Sequence, residues 1–386
     1  SSAPIRWGII GLGDVTTIKS GPPFFHLGNT GSLVAVMQRT PHAAADWISS
    51  MTSRYGNNNG GSITPYDDLD SFLAHEGLDA VYIATPPGSH FDIASKVAKA
   101  NKHCYVEKPV GRCGYETKAI YDAFQNQNQQ NGNNSMLYVA YISRAYKRTL
   151  TIQDLLMHQH VIGNEVTSIV YRMRGSGLAR GMDNDNNNNN NNQQHIPWRV
   201  DAKYSGGGLI MDMGCHLLNR LDMWFGPLVN VQGLAERRNE DSVGLVEDYV
   251  ELKAEIRGNG GLIGGSGGVS AKGAVVDCIW DFSGEEEGGT EDQFIITGNE
   301  GSLRMAAMSP SLPVELYDKD GTLVQTIQFE TVHYTAGEMI QRVTNDLRRR
   351  NHDTDTNDDA LLSTGEDALR TSRVLDQLLE KYYGGR

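Results

Sequence analysis

Residues 5–15 have the sequence IRWGIIGLGDV, a short apolar run that ends in a glycine-rich turn. Glycine lacks a Cβ atom, so backbone N–H groups in such a turn can approach a pyrophosphate, and the N-terminus of a following helix adds partial positive charge. The sequence therefore predicts the first strand and turn of a Rossmann unit. The dinucleotide fingerprint is incomplete, because Thr16 stands at the third glycine position. An ordinary strand-to-helix turn would give the same short pattern.

Further apolar runs at βαβ spacing support the Rossmann interpretation. Residues 33–37 (LVAVM) and 80–84 (AVYIA) predict two more strands, and the latter leads into Thr85-Pro86-Pro87. Strand and helix patterns alternate up to residues 139–141, as a doubly wound parallel sheet requires. The polar residues 125–134 are predicted to form a loop before the last strand. We therefore predict an N-terminal Rossmann domain over residues 1–143.

Residues 144–386 have a different pattern and predict a second domain. After one helix at residues 151–158, period-two alternation predicts strands at residues 166–174, 246–257, 273–282, 293–297, 314–317 and 323–329. This is typical of a large, mostly antiparallel open sheet with one polar face. Two insertions, at residues 183–194 (asparagine-rich) and 258–268 (glycine-rich), interrupt it, and a packed helix is predicted at residues 365–383. The predicted fold class is α/β followed by α+β.

The tripeptide Glu107-Lys108-Pro109 closes the apolar run Cys104-Tyr105-Val106. This run belongs to the segment whose first turn is predicted to hold a dinucleotide. A lysine there can reach the reacting end of a bound dinucleotide. The tripeptide is common, however, and has no meaning by itself.

The second chemical motif lies at residues 205–219, SGGGLIMDMGCHLLN. It predicts a helix that begins after the glycines and ends before Gly226-Pro227. In an α-helix Asp212 and His216 are i and i+4, which places both side chains on one face, about one turn apart. A carboxylate beside an imidazole orients it and favours its protonated form, as a general acid/base near neutral pH requires. A buried, hydrogen-bonded histidine would show the same spacing.

Together these segments resemble the glucose-fructose oxidoreductase, inositol dehydrogenase and rhizopine catabolism protein family (Gfo/Idh/MocA). The resemblance extends over nearly the whole chain and depends on the order and spacing of several modest matches: residues 8–13, 84–87 with His90, 107–109, Trp198-Arg199, 206–216 and 363–368. It implies an oxidoreductase whose catalytic set is Lys108, Asp212 and His216. One further departure from the family pattern is Asn219, where an aspartate is more usual.

The resemblance also implies the remaining site residues. Those expected at the cofactor are Gly11, Gly13, Asp14, Val15, Thr85, Pro86, His90, Glu107, Lys108, Trp198 and Arg199. Those expected at the substrate are Lys108, Tyr141, Arg144, Trp198, Asp212 and His216. For Tyr141, Arg144, Trp198 and Arg199 the alternative is plain packing.

Cofactor choice depends on the residues after the second strand. An acid there would pair with the ribose 2′-hydroxyl of NAD, but the chain has Gln38-Arg39-Thr40, and its next acid is Asp46. Arg39 can bind a 2′-phosphate through its guanidinium, and Thr40 can donate a hydroxyl. We therefore favour NADP over NAD. If Arg39 only stacks on adenine, both cofactors bind.

The predicted reaction is hydride transfer between the nicotinamide and a carbon bearing a hydroxyl or carbonyl group in a sugar, polyol or related diol. His216 is the predicted general acid/base, Asp212 orients it, and Lys108 holds and polarises the substrate oxygen; a lysine acid/base is a variant. Two alternatives are a redox-neutral glycosidase or epimerase with a tightly bound dinucleotide, and a non-enzymatic dinucleotide-binding sensor. Retention of Lys108, Asp212 and His216 together argues against the sensor.

Composition excludes several classes of partner. The chain of 386 residues has a formal net charge of −13 and no basic run, which argues against nucleic acid or an anionic membrane as partner. No apolar run approaches the about 20 residues that span a bilayer, and the N-terminus lacks a signal-peptide pattern. The four cysteines lack metal-ligand spacing, so we expect free thiols, no metal and a cytoplasmic protein.

The second domain also predicts an assembly. Alternate apolar residues of one strand, Val250, Leu252, Ala254 and Ile256, need a cover on at least one side of the sheet. The other elements of the chain can shield only one face, and the resemblance implies that the open face pairs with that of another subunit. We therefore expect a homodimer, or a homotetramer built from dimers.

Overall fold

The computed structural model describes residues 3–56, 61–132, 134–175, 196–240, 244–258, 260–264, 268–284, 290–351 and 359–385. The strands are β1 Ile5–Ile10, β2 Gly31–Met37, β3 Thr64–Tyr66, β4 Ala80–Ile83, β5 His103–Val106, β6 Leu137–Val139, β7 Val166–Arg174, β8 Leu228–Glu236, β9 Tyr249–Ile256, β10 Val275–Asp281, β11 Glu291–Gly298, β12 Gly301–Met305, β13 Val314–Asp318 and β14 Leu323–Ile327.

The α-helices are α1 Ala43–Tyr55, α2 Leu69–Leu73, α3 His90–Lys99, α4 Gly114–Asn131, α5 Lys147–Met157, α6 Ala202–Ser205, α7 Cys215–Phe225, α8 Gly337–Arg350 and α9 Gly365–Tyr383. Among the described residues, short 3₁₀ segments are Pro22–His26, Gly28–Thr30, Pro87–Ser89, Ile142–Ala145 and Trp198–Val200. The same part of the chain contains π-helical turns at Val15–Lys19 and Ile210–Gly214. Such turns are rare and are frequent at functional sites.

The chain divides into two compact units. The first comprises Ser1–Gly111, Glu116–Ala145 and Val332–Ala368, and the second comprises Arg112–Tyr115, Tyr146–Thr331 and Leu369–Arg386. The predicted division between residues 143 and 144 lies close to the crossing between Ala145 and Tyr146. The return of Val332–Ala368 to the first unit has no counterpart in the sequence prediction.

The first unit contains a six-stranded parallel sheet in the order β3-β2-β1-β4-β5-β6. This is the Rossmann order, with its switch point between β1 and β4. All four residues of β4 and five of the six in β1 are buried, which explains why these strands are continuous apolar runs. The predicted doubly wound parallel sheet is confirmed.

Helix α8 joins the first core, although the sequence analysis assigned no helix there. Its buried residues Met339, Ile340, Val343 and Leu347 belong to the same cluster as Trp7. The indole Nε1 of Trp7 donates to Thr344 Oγ1 at 3.2 Å. This apolar face accounts for the return of residues 332–368 to the first unit.

One local prediction is wrong. Residues 125–131 continue helix α4 and are not a loop. Glutamine is a good helix former, and no glycine or proline interrupts the run before Gly132, which has φ +65° and ends the helix.

The second unit contains an eight-stranded sheet in the order β14-β13-β12-β11-β7-β10-β9-β8. It is mostly antiparallel, as predicted, but β7 and β10 pair in parallel. One row of facing residues across the central strands is buried: Leu252, Cys278, Tyr171, Phe294 and Met305. The next row, on the opposite face, is partly exposed and of mixed character: Lys253, Asp277, Val170, Ile295 and Arg304.

Strands β8 and β12 have no counterpart in the prediction. The two insertions also differ in what can be said of them: residues 183–194 lie outside the described residues, and residues 258–268 are described only at 258, 260–264 and 268. The C-terminal helix at residues 365–383 is confirmed as α9.

The half-buried His103 makes the stability of the first unit depend on pH. Burial lowers its pKa to about 4, and its Nδ1 accepts a hydrogen bond from Met136 N at 3.1 Å, which requires a ring without a proton at that nitrogen. In the unfolded chain a histidine has a pKa of about 6.5. Between these two values the unfolded chain binds a proton that the folded chain does not, so acidification favours unfolding.

We expect the free energy of unfolding to fall by about 2 kcal/mol from this group between about pH 7 and pH 5. His103→Asn, whose side-chain oxygen can still accept from Met136 N, should flatten that part of the dependence, measured by urea unfolding at both pH values. The exposed His333→Asn is the matched control and should keep the parent's dependence. Equal pH dependence in both variants would contradict the assignment.

Candidate active site

The glycine turn after β1 has the geometry that a phosphate requires. Gly11 has φ +92°, and a Cβ atom added there would lie 2.9 Å from the carbonyl carbon and oxygen of Ala84. A Cβ atom added at Gly13 would meet nothing within 4 Å. Gly11 therefore allows close packing against the end of β4, whereas Gly13 leaves open space at the carboxyl edge of the sheet. These residues fit the pyrophosphate of a dinucleotide.

Thr16, which stands at the third glycine position, contacts the backbone of the glycine turn through its hydroxyl. It is buried, and its Oγ1 lies 3.0 Å from the carbonyl oxygen of Gly11 and 2.9 Å from that of Gly13. The Thr16 hydroxyl thus stabilises the glycine turn through its two backbone carbonyl groups. Thr16 itself lies in the π-helical turn that follows Asp14. Five residues further along the chain, Gly21 packs closely against the backbone of Thr16, since a Cβ atom at Gly21 would lie 1.8 Å from Thr16 O.

The end of β2 presents Arg39 and Thr40 as exposed residues. The preceding Gln38 accepts a hydrogen bond from Leu12 N through Oε1 at 3.4 Å, which turns its carbonyl group toward the glycine turn. The backbone turns here, with Ala43 N donating to Thr40 O at 3.2 Å. No carboxylate stands between Gln38 and Ala43.

His90 connects two turns of the predicted cofactor site. Its Nε2 lies 2.7 Å from Thr85 O, and its Nδ1 lies 3.0 Å from Val110 O. Burial lowers the pKa of His90, although the two carbonyl groups favour the protonated ring. The ring therefore contacts the backbone of both turns and holds the segment after Pro86 against the segment after Lys108-Pro109.

The predicted lysine lies at the carboxyl edge of the same sheet. Glu107 N donates to Ile83 O at 2.9 Å, Lys108 N lies 3.3 Å from Glu107 Oε2, and both side chains are half-buried. A cis peptide bond joins Lys108 to Pro109. Because β1, β4 and β5 are neighbours, the turns that contain Gly11, Thr85 and Lys108 share one edge of the sheet.

In the second unit, the segment around Asp212 departs from the predicted α-helix. Ile210–Gly214 is a π-helical turn, and the α-helix α7 begins only at Cys215. A π turn contains more residues than an α turn. The angle between the Asp212 and His216 side chains around the helix axis therefore differs from that of residues i and i+4 in a regular α-helix. A Cβ atom at Gly214 would lie 2.2 Å from Ile210 Cδ1, so a side chain there would displace the Ile210 side chain.

Asp212 forms an ion pair with Arg199. Arg199 Nε lies 3.7 Å from Asp212 Oδ2, and the guanidinium carbon lies 4.5 Å from the centre of the Trp198 ring. The structure thus brings together three predicted site residues of the second unit. Both charged side chains are partly exposed, so the pair contributes little to stability and can exchange for contacts with a ligand.

The glycine run before Asp212 serves close packing. Gly206 has φ +87°, and a Cβ atom there would lie 2.3 Å from Arg112 O. A Cβ atom at Gly208 would lie 2.2 Å from Glu247 O. The buried Glu247 accepts from Gly208 N at 2.8 Å through Oε1 and from the Tyr383 hydroxyl at 2.5 Å through Oε2. This carboxylate fixes the start of the Asp212 segment.

The role of Glu247 is not predicted from the sequence, in which this residue belongs to a predicted strand. The predicted strand at residues 246–257 contains several other charged residues, so its pattern does not single out Glu247. A carboxylate that is buried needs hydrogen-bond donors. Glycines that approach its backbone supply one of them.

Three residues whose roles the sequence left open are buried. Tyr141 is buried in the first unit. Arg144 lies 3.7 Å from Asp367 Oδ2 and donates to Ala360 O at 3.1 Å. Asn219 Nδ2 donates to Thr371 Oγ1 at 3.1 Å. For Arg144 and Asn219 these contacts favour the packing interpretation over a substrate contact.

Within the described ranges, no group of three or more His, Cys, Asp and Glu side chains is arranged to hold a metal ion. No helix in those ranges has the length and apolar character needed to cross a membrane. Cys104, Cys113, Cys215 and Cys278 are not joined by disulfide bonds.

Two family models match the chain. Residues 5–134 match the model described as an oxidoreductase family with an NAD-binding Rossmann fold. Residues 178–304 match the model of the GFO/IDH/MocA C-terminal domain.

Among curated proteins, the chain is 26% identical to Oxidoreductase P35 of Formosa agariphila over 88% of this chain and 89% of that protein. It is 26% identical to levoglucosan dehydrogenase of Pseudarthrobacter phenanthrenivorans over 48% of this chain and 40% of that protein. It is 27% identical to D-xylose 1-dehydrogenase (NADP(+)) 2 of Haloferax volcanii over 52% of this chain and 56% of that protein.

Solved structures extend the likeness to the whole fold. Levoglucosan dehydrogenase in complex with NADH and L-sorbose has a TM-score of 0.72 at 18% identity, over 99% of this chain and 97% of that one. Aldose-aldose oxidoreductase from Caulobacter crescentus has a TM-score of 0.69 at 18% identity, over 99% and 98%. At such identities the likeness shows the fold.

Proposed function

Because the chain belongs to the GFO/IDH/MocA family of oxidoreductases, we propose that it transfers a hydride between a nicotinamide cofactor and a carbon bearing a hydroxyl or carbonyl group in a sugar, polyol or related diol. The cofactor of this family is NADP or NAD. The observation that carries the proposal is the common sheet edge of the first unit, which presents an open glycine turn and the half-buried Lys108. Such an edge is where open α/β sheets bind ligands.

Relatives support a sugar as substrate. Two of them are named for levoglucosan and D-xylose, and one is solved with L-sorbose. In this chain the stacked Trp198 and Arg199 offer an apolar ring and a cation at Asp212, which suits the apolar faces and hydroxyl groups of a sugar ring.

In the proposed mechanism the chain's own residues manage the oxygen and its proton. Lys108 holds the substrate oxygen and stabilises negative charge on it. His216 accepts the hydroxyl proton during oxidation and returns it during reduction, and Asp212 orients the imidazole and favours its charged form. Arg199 competes for Asp212, so ligand binding that draws Arg199 away leaves the carboxylate to the histidine.

NADP is the proposed preferred cofactor. Arg39 and Thr40 are exposed at the end of β2, and Gln38 replaces the acid that would pair with the ribose of NAD. A 2′-phosphate would find a guanidinium and a hydroxyl there, without a carboxylate to repel it.

A substrate panel tests the proposal. Sugars, inositols and dihydrodiols are each incubated with NADP⁺ and with NAD⁺, and reduced cofactor is followed by its absorbance. Net reduction with at least one sugar supports the proposal. A redox-neutral enzyme would instead change the sugar without net reduction and would co-purify with dinucleotide, and a sensor would bind dinucleotide and change no compound.

We further propose that the chain forms a homodimer, or a tetramer of dimers, through the partly exposed face of the second sheet. The apolar residues named for this strand, Val250, Leu252, Ala254 and Ile256, are buried within the chain. The candidate interface is therefore the opposite face, where Val170 and Ile295 lie side by side. The alternative is a monomer, because charged residues on this face can remain in contact with water.

Light scattering at micromolar concentration should give at least twice the single-chain mass of 42.4 kDa. Ile295→Lys should shift the mass toward the single chain, because burying an unpaired ammonium group in an interface is costly. Phe91→Lys on α3, also an apolar residue with partial exposure, is the control and should leave the mass unchanged. A single-chain mass for the wild type contradicts the proposed assembly.

A further inference from the structure

The phenol of Tyr82 lies between the two functional turns of the first unit. Tyr82 belongs to β4 and is fully buried. Its hydroxyl oxygen lies 2.5 Å from Glu107 Oε1 and 2.9 Å from Ser20 Oγ. One side chain thus contacts the residue before Lys108 and a residue that follows the glycine turn.

The direction of these hydrogen bonds follows from the number of protons. Burial and the neighbouring charge of Glu107 raise the pKa of Tyr82 well above its usual range, so the phenol keeps its proton. A carboxylate only accepts, and it is the stronger acceptor, so Tyr82 donates to Glu107. Ser20 then has its own proton for the phenolic oxygen or for Val15 O, at 3.2 Å.

Both ends of this chain of contacts are anchored in the backbone. Ser20 N donates to Val15 O at 2.9 Å, which closes the π-helical turn after Asp14. At the other end, Lys108 N lies 3.3 Å from Glu107 Oε2. The side chains of Ser20, Tyr82 and Glu107 therefore connect the turn that fits a pyrophosphate to the backbone of the predicted catalytic lysine.

The position of the hydroxyl is itself fixed by packing. The Tyr82 ring stacks on two neighbours: its centroid lies 5.5 Å from that of Phe24, with 29° between the ring planes, and 5.2 Å from that of Tyr105, with 28°. A fully buried ring with two stacked neighbours has little freedom to follow a carboxylate that moves. Glu107 is therefore held to one location by a rigid donor, in a partly buried setting where a hydrogen bond to a charge is strong.

We propose that Tyr82 is a positioning residue for the reaction, which fixes the Glu107 carboxylate and, through it, the Lys108 segment relative to the glycine turn. This inference rests on the proposed function. Without the hydroxyl, Glu107 loses the hydrogen bond from Tyr82, and the Lys108 segment gains conformations in which the lysine is misplaced.

Tyr82→Phe tests the proposal because it keeps the stacked ring and removes only the hydroxyl. With saturating NADP⁺ and D-xylose or D-glucose as probe, we expect kcat to fall by about 10-fold or more, since small displacements of a catalytic group have large effects on rate. The dissociation constant of NADP⁺ should change by less than about threefold, because no group that contacts the cofactor is removed. Ser20→Ala should act in the same direction with a smaller effect.

Tyr66→Phe is the matched control. It removes another tyrosine hydroxyl of the same sheet, one that lies 2.8 Å from His75 Nδ1, and should leave kcat unchanged. In a Glu107→Gln background, Tyr82→Phe should lower kcat much less than in the wild type, because its charged partner is already lost. Equal effects in both backgrounds would overturn the proposal.

Hydrogen exchange gives a readout that does not depend on turnover. The peptide that spans Glu107–Val110 should exchange faster in Tyr82→Phe, and at the wild-type rate in Tyr66→Phe. Unchanged exchange in Tyr82→Phe overturns the positioning role even if the enzyme is active. If the wild type oxidises no sugar, the proposed function fails, while faster exchange in Tyr82→Phe still supports the link between Tyr82 and Glu107. If Tyr82→Phe does not fold, kcat and hydrogen exchange of Ser20→Ala decide instead.

Discussion

Lys108→Ala and His216→Ala should each lower turnover by about 10²-fold or more, the usual contribution of a general acid/base or of a group that stabilises a developing charge. Dinucleotide binding, measured by calorimetry, should change little, because the glycine turn after β1 is untouched. Asp212→Asn should be milder, because the imidazole remains and only its orientation and charge are affected.

Two variants serve as matched controls for these losses. Lys102→Ala removes a half-buried lysine that precedes β5, and His158→Ala removes an exposed histidine at the end of α5. Both should retain wild-type turnover. Near-normal turnover of Lys108→Ala and His216→Ala would remove the site assignment.

Arg39→Ala should weaken NADP binding by about 1.5–3 kcal/mol, the range for a hydrogen bond to a charged group, and should leave NAD binding nearly unchanged. Calorimetric titration with each cofactor measures the difference. Arg54→Ala removes an exposed arginine at the far end of α1 and should affect neither cofactor. Equal losses for both cofactors in Arg39→Ala would mean that the arginine stacks on adenine and does not discriminate between them.

Much of the fold could be predicted because its signals are local. The glycine turn, the apolar strands and the alternating strands of the second sheet depend on neighbouring residues, and the structure confirms a parallel sheet followed by a mostly antiparallel one. The missed features depend on distant partners. The parallel pairing of β7 with β10, and the return of α8 to the core around Trp7, join segments far apart in the chain.

The candidate site shows the same division. The positions of Lys108 and Gly11 at one sheet edge follow from strand order alone. The π-helical turn at Asp212 does not, because the same glycine-rich run would also fit the start of an ordinary α-helix. The ion pair of Arg144 with Asp367, and the hydrogen bond of Asn219 with Thr371, required the packing of segments that the sequence gives no reason to pair.

Tyr82 is an intermediate case. A tyrosine within a strand that is buried on both faces needs a partner for its hydroxyl, and this need is visible in the sequence AVYI. The identity of the partner, Glu107, is visible only once β4 and β5 are paired. Residues of this kind connect motifs that sequence analysis finds separately.

The central claim is hydride transfer from a sugar carbon to the cofactor, and isotope transfer tests it most directly. Fully deuterated D-glucose and D-xylose are incubated with NADP⁺, and the reduced cofactor is examined by mass spectrometry. We predict that the wild type forms NADPH that carries one deuterium. Lys108→Ala should form it at least about 10²-fold more slowly. Reduced cofactor without deuterium, or formation at equal rates by both proteins, would contradict it.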